Sequence, residues 1–254
     1  MSLEIVTVPC LSDNYAYVLH NATTGETAVV DVPDAAPLKQ VLNDRGWTLT
    51  DILITHHHYD HIDGVEDLRG PGVRVIGAAA DAHRLPPLDQ TVEQGSDLIV
   101  CGEAVQVFDT PGHTIGHVSF YFPDTGAAFT ADTLMAMGCG RLFEGTPDMM
   151  WASLSALMAL PPETTICSGH EYTAANARFA MTIEPENPDL ISRVQQITQA
   201  RADNRPTVPS KLADEIATNP FLRANVPTLK AALGMEHADD VAVFAEIRRR
   251  KDNF

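Results

Sequence analysis

A layered α/β fold is predicted by three features of the sequence. β-branched and aromatic runs alternate with segments of helical periodicity. Short polar clusters rich in histidine and aspartate follow directly on apolar runs, where strands deliver side chains to a sheet edge. With 44% hydrophobic residues in 254, the chain can bury a sizeable core, as one large domain or one domain with a smaller appendage.

Taken in order, LEIVTVPC (3–10) and YAYVLHN (15–21) are strands, and ETAVVDVPD (26–34) follows the turn residues TTG, as in an antiparallel meander. Residues 34–46 are predicted helical, with Asp34 as N-cap, Leu38, Val41 and Leu42 on one face and Gly46 as the stop. DILIT (51–55) is too short for a helix and isoleucine-rich enough for a buried strand. It runs straight into HHHYDH. The second half repeats the plan: AVQVFDT ends at PGHTIGH, VSFYF and AAFTADT form a hairpin around PDTG, and TTIC leads into SGHEYT. In TPDMMWASLSALMAL, Thr146 caps a packing helix with Pro147 in its first turn and an apolar face of Trp151, Leu154, Leu157 and Met158. After about residue 173 strand signals stop. Segments 174–204 and 239–250 read as helical, joined by the proline-bearing RPTVPSKLADEIATNPF, and no low-complexity linker separates them from the rest. Residues 1–173 and 174–254 are therefore expected to be two regions that pack together.

Composition narrows the function classes. A net charge of -17 repels phosphodiester backbones, so nucleic acid is not an expected partner. The chain begins without a basic segment followed by an apolar run and has no long apolar stretch, so neither export nor membrane insertion is expected. Cys10, Cys101, Cys139 and Cys167 form no C-x-x-C pair, which argues against a disulfide framework and a thiolate zinc site and fits a reducing cytoplasm.

The chemistry is concentrated in ITHHHYDHIDG (54–64), which holds four of the ten histidines and two aspartates. Alternation on extended backbone points His56 and His58 the same way, while Asp60 and His61 in the following turn can face a neighbouring point. Imidazole suits zinc or ferrous iron, and a carboxylate can bridge two such ions. A hydrolytic pair needs more donors than this cluster holds. His113, Asp132 and His170 each lie just past an apolar run and can supply them. Singly, each histidine reads as a structural or surface residue sooner than as a ligand, and the aspartate as a turn or cap. Together with HxHxDH, burial of so many titratable groups without a cation carries a heavy desolvation cost.

THHHYDH with downstream PGHTIGH, TADT and CSGHEYT resembles the metallo-β-lactamase superfamily. SDNYAYVL, GCGRLFEGT, GHEYTAANARFA, RPTVPSKLADEIATNPFLRA and the terminal RRRKDNF resemble the hydroxyacylglutathione hydrolase (glyoxalase II) family in the same order, over essentially the whole chain. That resemblance implies a four-layered αββα sandwich, overall α/β (α+β), with a C-terminal helical region that binds glutathione. It implies two divalent metal ions per chain, zinc first, with iron or manganese as alternatives. One ion would be held by His56, His58 and His113 and the other by Asp60, His61 and His170, with Asp132 bridging. The implied reaction is hydrolysis of the thioester S-D-lactoylglutathione, or related 2-hydroxyacyl thioesters, to glutathione and the hydroxy acid by a hydroxide bridging the metals. Such an enzyme serves methylglyoxal detoxification. Asp60 and Asp132 are the implied catalytic groups, Asp60 orienting that hydroxide. A cytoplasmic monomer is expected.

The basic run at residues 248–251 reads by itself as a helix C-terminus stabilised by positive charge. The resemblance instead implies that Arg248 and Lys251, with Arg141, Phe143 and Tyr172, contact the glutathione moiety. Arg141 stands where relatives often have lysine, keeping the charge and adding a fork suited to carboxylate. Phe143 stands where many have tyrosine, which removes a hydroxyl. Tyr59, at a position commonly tryptophan, is expected to pack, His57 to support its neighbours and His117 to sit behind the ligands or in the core. The competing readings are a glutathione persulfide dioxygenase with one iron, a metallo-nuclease and a non-catalytic metal-binding module. The full second set of Asp60, His61 and His170 speaks against the first, the charge against the second, and open coordination positions against the third.

Overall fold

The computed structural model describes residues 3–254. In chain order, β1 (Glu4–Cys10), β2 (Asn14–His20) and β3 (Glu26–Val30) lead to α1 (Ala35–Arg45), β4 (Thr48–Leu53) and two single turns, α2 (Tyr59–Ile62) and α3 (Val65–Leu68). Next come β5 (Arg74–Ala78), β6 (Gln90–Val92), β7 (Leu98–Val100), β8 (Glu103–Asp109), β9 (Val118–Phe122) and β10 (Ala127–Ala131). A small ribbon of β11 (Leu134–Met135) and β12 (Gly138–Cys139) precedes α4 (Pro147–Met158) and β13 (Thr165–Ser168). The remainder is α5 (Thr173–Ile183), α6 (Pro188–Ala202), β14 (Ser210–Lys211), α7 (Leu212–Thr218), α8 (Pro227–Leu233) and α9 (Asp240–Asp252).

Two six-stranded sheets form, ordered β1-β2-β3-β4-β5-β6 and β14-β13-β10-β9-β8-β7. The predicted meander is antiparallel from β1 to β3, and β3 through β6 are parallel. Between the sheets lies a core of Leu19, Leu53, Ile76, Phe120, Phe122 and Phe129. The outer face of the first sheet packs Val18, Val29 and Ile52 against Leu38 and Leu42 of α1. The outer face of the second packs Tyr121, Ala128 and Ile166 against Leu154 and Leu157 of α4 and Val243, Phe244 and Ile247 of α9. The layers are thus α, β, β, α. Local signals behave as expected: the Asp34 carboxylate accepts from Ala36 N, Gly46 closes α1 in the left-handed region, and the Thr146 hydroxyl accepts from Met149 N.

The C-terminal region departs from the sequence reading in two ways. Strand structure does not stop at residue 173, because Ser210 and Lys211 pair antiparallel with Thr165 and Ile166 at the sheet edge. A two-residue edge strand directly after Pro209 carries no periodicity, so its pairing is set by tertiary context. The predicted helix over 174–204 is broken at Glu184 and resumes at Pro188, since Pro185 cannot continue the ladder while Pro188 suits a helix start capped by Asn187. The two regions do pack together. Phe244 is fully buried, with its ring 5.9 Å from Phe221 and 6.1 Å from Trp151. Phe244→Ala is expected to lower unfolding free energy by about 3–5 kcal/mol, read from the denaturant midpoint. It should do so in a single transition, because the lost contacts span both regions.

Candidate metal centre

All the histidine and aspartate clusters lie at one edge of the sandwich, because β4, β8, β10 and β13 end there. At that edge the sheets are bonded to each other: Val118 N donates to Thr55 O, Tyr15 N to Gly169 O and Glu171 N to Asp13 O. The chain leaves β4 extended through Thr55 and His56, reaches His58 in extended conformation, and winds the single turn α2 that carries Asp60 and His61. That turn is fastened to the loop after β3, Val32 N donating to His61 O and Gly64 N to Val32 O. Ala131 takes φ +38°, an uncommon left-handed conformation for alanine, just before Asp132.

The predicted side chains converge. His113 Nε2 lies 2.9 Å from His58 Nδ1, which lies 3.2 Å from His56 Nε2. His61 Nε2 and His170 Nε2 are 3.4 Å apart, with Asp60 Oδ2 3.5 Å from His170 Nε2 and 4.0 Å from His61 Nε2. Asp132 stands between the two sets, Oδ2 3.3 Å from His113 Nε2 and Oδ1 3.4 Å from His170 Nε2. Both trios can hold a metal ion, as can a third grouping, Asp31 with His56 and His61.

The tautomers show what this convergence lacks. His113 Nδ1–H donates to Arg141 O at 2.8 Å, His61 Nδ1–H to Asp31 at 2.8 Å and His170 Nδ1–H to Asp13 at 2.9 Å. In neutral rings their Nε2 atoms are then lone pairs, and they point at one another and at carboxylates. Asp132 Oδ1 is buried without a hydrogen-bond partner. Nitrogens about 2.0–2.1 Å from one tetrahedral ion lie roughly 3.3 Å apart, close to the spacings seen here. The donor set fits divalent metal.

Electrostatics of the protein groups alone agree. Burial opposes ionisation of Asp132, yet adjacent His170 and His61 hold its carboxyl well below the usual range. Burial opposes the charged form of His170 as well, but Asp132 outweighs it and pushes the imidazole up to about 9. His61 is likewise raised against burial, by Asp132 and Asp31. His56 is driven well below its ordinary value by burial and by its histidine neighbours, and His58 falls to about 4 for the same reasons. Positive charge is thus demanded at this point, and protons on His61 and His170 supply it when nothing else does.

Beside the cluster opens a cleft of about 570 Å³ that collects Arg141, Phe143, Tyr172, Arg248 and Lys251. Phe143 is exposed, with its ring 5.3 Å from that of His113, and Tyr172 stacks on His170 at 4.7 Å. Arg248 is nearly buried, donating to Cys139 O and Asp252, whereas Arg249 and Arg250 are committed to Glu246 on their own helix. Arg141 is exposed and 3.6 Å from Asp252. Tyr59 corrects the sequence expectation: it is 70% exposed on the cleft rim rather than packed, because α2 turns it outward as Asp60 and His61 turn in. His57 bonds Asp81, and His117 is buried behind His56, as expected of supporting residues. Sequence reasoning missed Asp13, Asp31 and Asn14, the last donating to Asp60 Oδ2. Their one signal in the sequence was their position at strand ends, in SDNY and VVDVPD. All four cysteines are free and buried.

A cage of imidazoles and carboxylates on the strand-end edge of an αββα sandwich is the signature of the metallo-β-lactamase superfamily, and a model described by that name matches residues 12–170. By fold alone, the chain is similar to the BLEG-1 B3 metallo-β-lactamase (TM-score 0.67, 24% identity, covering 86% of this chain and 99% of that one). It is similar also to TTHA1623, solved in a di-iron-bound form (TM-score 0.57, 28% identity, 66% and 91% coverage). A second model, described as the hydroxyacylglutathione hydrolase C-terminus, matches residues 171–254. Proteins named hydroxyacylglutathione hydrolase from Cereibacter sphaeroides and Ruegeria pomeroyi are 65% and 59% identical to the chain, each over the full length of both. The chain belongs to the hydroxyacylglutathione hydrolase family.

Gly169 marks how tightly the cage is built. A Cβ there would meet Asp132 Oδ1 at 2.5 Å and His61 Cε1 at 2.9 Å. Gly169→Ala should leave a folded chain that retains metal at least about tenfold less well, checked by competition with a chelator against circular dichroism of the same samples.

Proposed function

We propose that the chain hydrolyses S-D-lactoylglutathione and related 2-hydroxyacylglutathiones to glutathione and the free hydroxy acid, in the detoxification of methylglyoxal. The observation that carries this is the juxtaposition, in one cleft, of the convergent lone-pair cage with three cationic side chains suited to a ligand bearing two carboxylates. The full-length relatives bear the name of that activity.

His56, His58 and His113 would hold one divalent ion and Asp60, His61 and His170 a second, with one oxygen of Asp132 turned to each. The di-iron form of TTHA1623 supports two ions; zinc is our first assignment, with iron or manganese as alternatives. Bound there, divalent metal makes water acidic enough to ionise near neutral pH and polarises a carbonyl. The chain's residues do the rest. Asn14 donates to Asp60 and so fixes a carboxylate oxygen that can accept from the attacking water. Arg141, Arg248 and Lys251 bind the carboxylates of the glutathione moiety and Tyr172 lines its path, so that the thioester carbon is presented at the cage. Phe143 offers an apolar edge where a hydroxyl would otherwise hydrogen-bond. Residues 1–173 then form the catalytic region and 174–254 the helical glutathione-binding region, whose Arg248 and Lys251 share the cleft with Arg141, Phe143 and Tyr172. Every one of these groups comes from one chain, so a monomer suffices. The four free, buried cysteines suit a cytoplasmic location, and no helix among the described residues is long and apolar enough to cross a membrane.

A dioxygenase with one iron is not favoured, because the second donor set is complete. A non-catalytic module is not favoured either, since an open cleft adjoins the donors. Thioester cleavage assayed before and after chelation tests the reading: activity should vanish with the metal and return on adding it back. Fully metal-loaded protein that leaves S-D-lactoylglutathione intact, or that consumes oxygen with glutathione persulfide, defeats it.

Lys251 provides a pH signature. Burial, then Arg248 and Arg178, pull its ammonium down to about 8, only partly offset by Asp252 and Cys139. Its Nζ faces Ala175 O and the rings of Phe179 and Phe254. The cation is present below that pH and lost above it, so kcat/KM should fall as pH rises through 8, chiefly through KM. Lys251→Arg should flatten that limb, and Lys251→Met should raise KM at neutral pH with little change in kcat.

A further inference from the structure

His57 lies between two of the metal-binding histidines yet faces away from them, into a polar cluster that the proposed chemistry does not use. Its Nδ1–H donates to Asp81 at 3.0 Å, and its Nε2 is 3.5 Å from Glu144. Arg84 joins these carboxylates, donating to Asp81 Oδ1 at 2.6 Å and to Glu144 Oε2 at 3.1 Å. Glu144 Oε2 also accepts from Ile115 N at 2.8 Å, two residues beyond His113. Phe143 N and Glu144 N donate in turn to His113 O, and Arg141 O accepts from the His113 ring. Gly116 lies flat against the buried Asp81 carboxylate, where a Cβ would come within 2.2 Å.

The cluster therefore bolts together the loop bearing His56 and His58, the loop bearing His113, and the loop bearing Arg141 and Phe143. It touches neither His61 nor His170. Those are oriented by other groups on other loops, Asp31 and Asp13.

Resting on the two-ion reading above, we infer that His57, Asp81, Arg84 and Glu144 are positioning residues that set metal affinity at the three-histidine half of the centre alone, so that the two halves can be emptied independently. The two halves have different donor sets, three nitrogens against two nitrogens and a carboxylate, and cadmium-113 bound at each should give its own NMR resonance.

The test is chelator titration of the cadmium-113-loaded chain, comparing wild type with Asp81→Asn, Glu144→Gln and Asp13→Asn. In Asp81→Asn and Glu144→Gln the resonance of the nitrogen-rich half should disappear at about 10–100-fold lower chelator, with the other unmoved. Asp13→Asn should do the reverse. Thermal midpoints of the metal-free proteins separate this from a folding defect, and Glu144→Gln carries the test if Asp81→Asn does not fold. Both resonances weakening together in Glu144→Gln, or neither moving, overturns the inference while leaving two ions intact. A single resonance in wild type instead removes the two-ion reading and this inference with it.

Discussion

Everything at the strand-end edge depends on a shortage of donors. Five imidazoles and two carboxylates are brought together, and the Nδ1 protons of His170, His61 and His113 are spent on Asp13, Asp31 and a backbone carbonyl outside the cage. Left without metal, the buried Asp132 carboxylate draws protons onto His61 and His170 instead. A sequence that maintains this arrangement on ordinary secondary structure has a use for positive charge at that point.

The sandwich makes the arrangement possible by ending strands of both sheets at one edge and tying the sheets together there. β4 and the loop after β3 bring His56, His58, Asp60 and His61 from one sheet; β8, β10 and β13 bring His113, Asp132 and His170 from the other. Gly64 and Gly140 lie against the backbone of Ala35 and Asp132, and Gly169 against the Asp132 and His61 side chains, with no room for a Cβ at any of the three. The helical region then closes the cleft from the side. α9 packs Phe244 and Ile247 under the second sheet and so carries Arg248 and Lys251 to the cleft beside the histidine cluster, which is why a segment far along the chain shares a core with the second sheet.

Much of this was legible in the sequence, and for physical reasons. Strands buried on both faces, such as VSFYF, and capped helices, such as the one begun by Asp34 and closed by Gly46, carry local signals. The convergent histidines were legible as a candidate metal centre because neither packing nor capping calls for several histidines so close together in sequence, whereas metal coordination does. What stayed hidden was tertiary. Asp13, Asp31 and Asp81 look like ordinary loop aspartates until the fold brings His170, His61 and His57 against them. The pairing of Ser210 with Ile166 has no periodicity to betray it. The outward turn of Tyr59 follows from α2, a helical turn too short for any pattern to announce.

If this edge closes around a pair of cations with Asp132 between them, anomalous diffraction from crystals grown with excess divalent metal will show it most directly. Two peaks are expected, one among His56, His58 and His113 and one among Asp60, His61 and His170, with the Asp132 carboxylate reaching both. A single peak, or Asp132 turned away from the imidazoles, would contradict the two-cation cage.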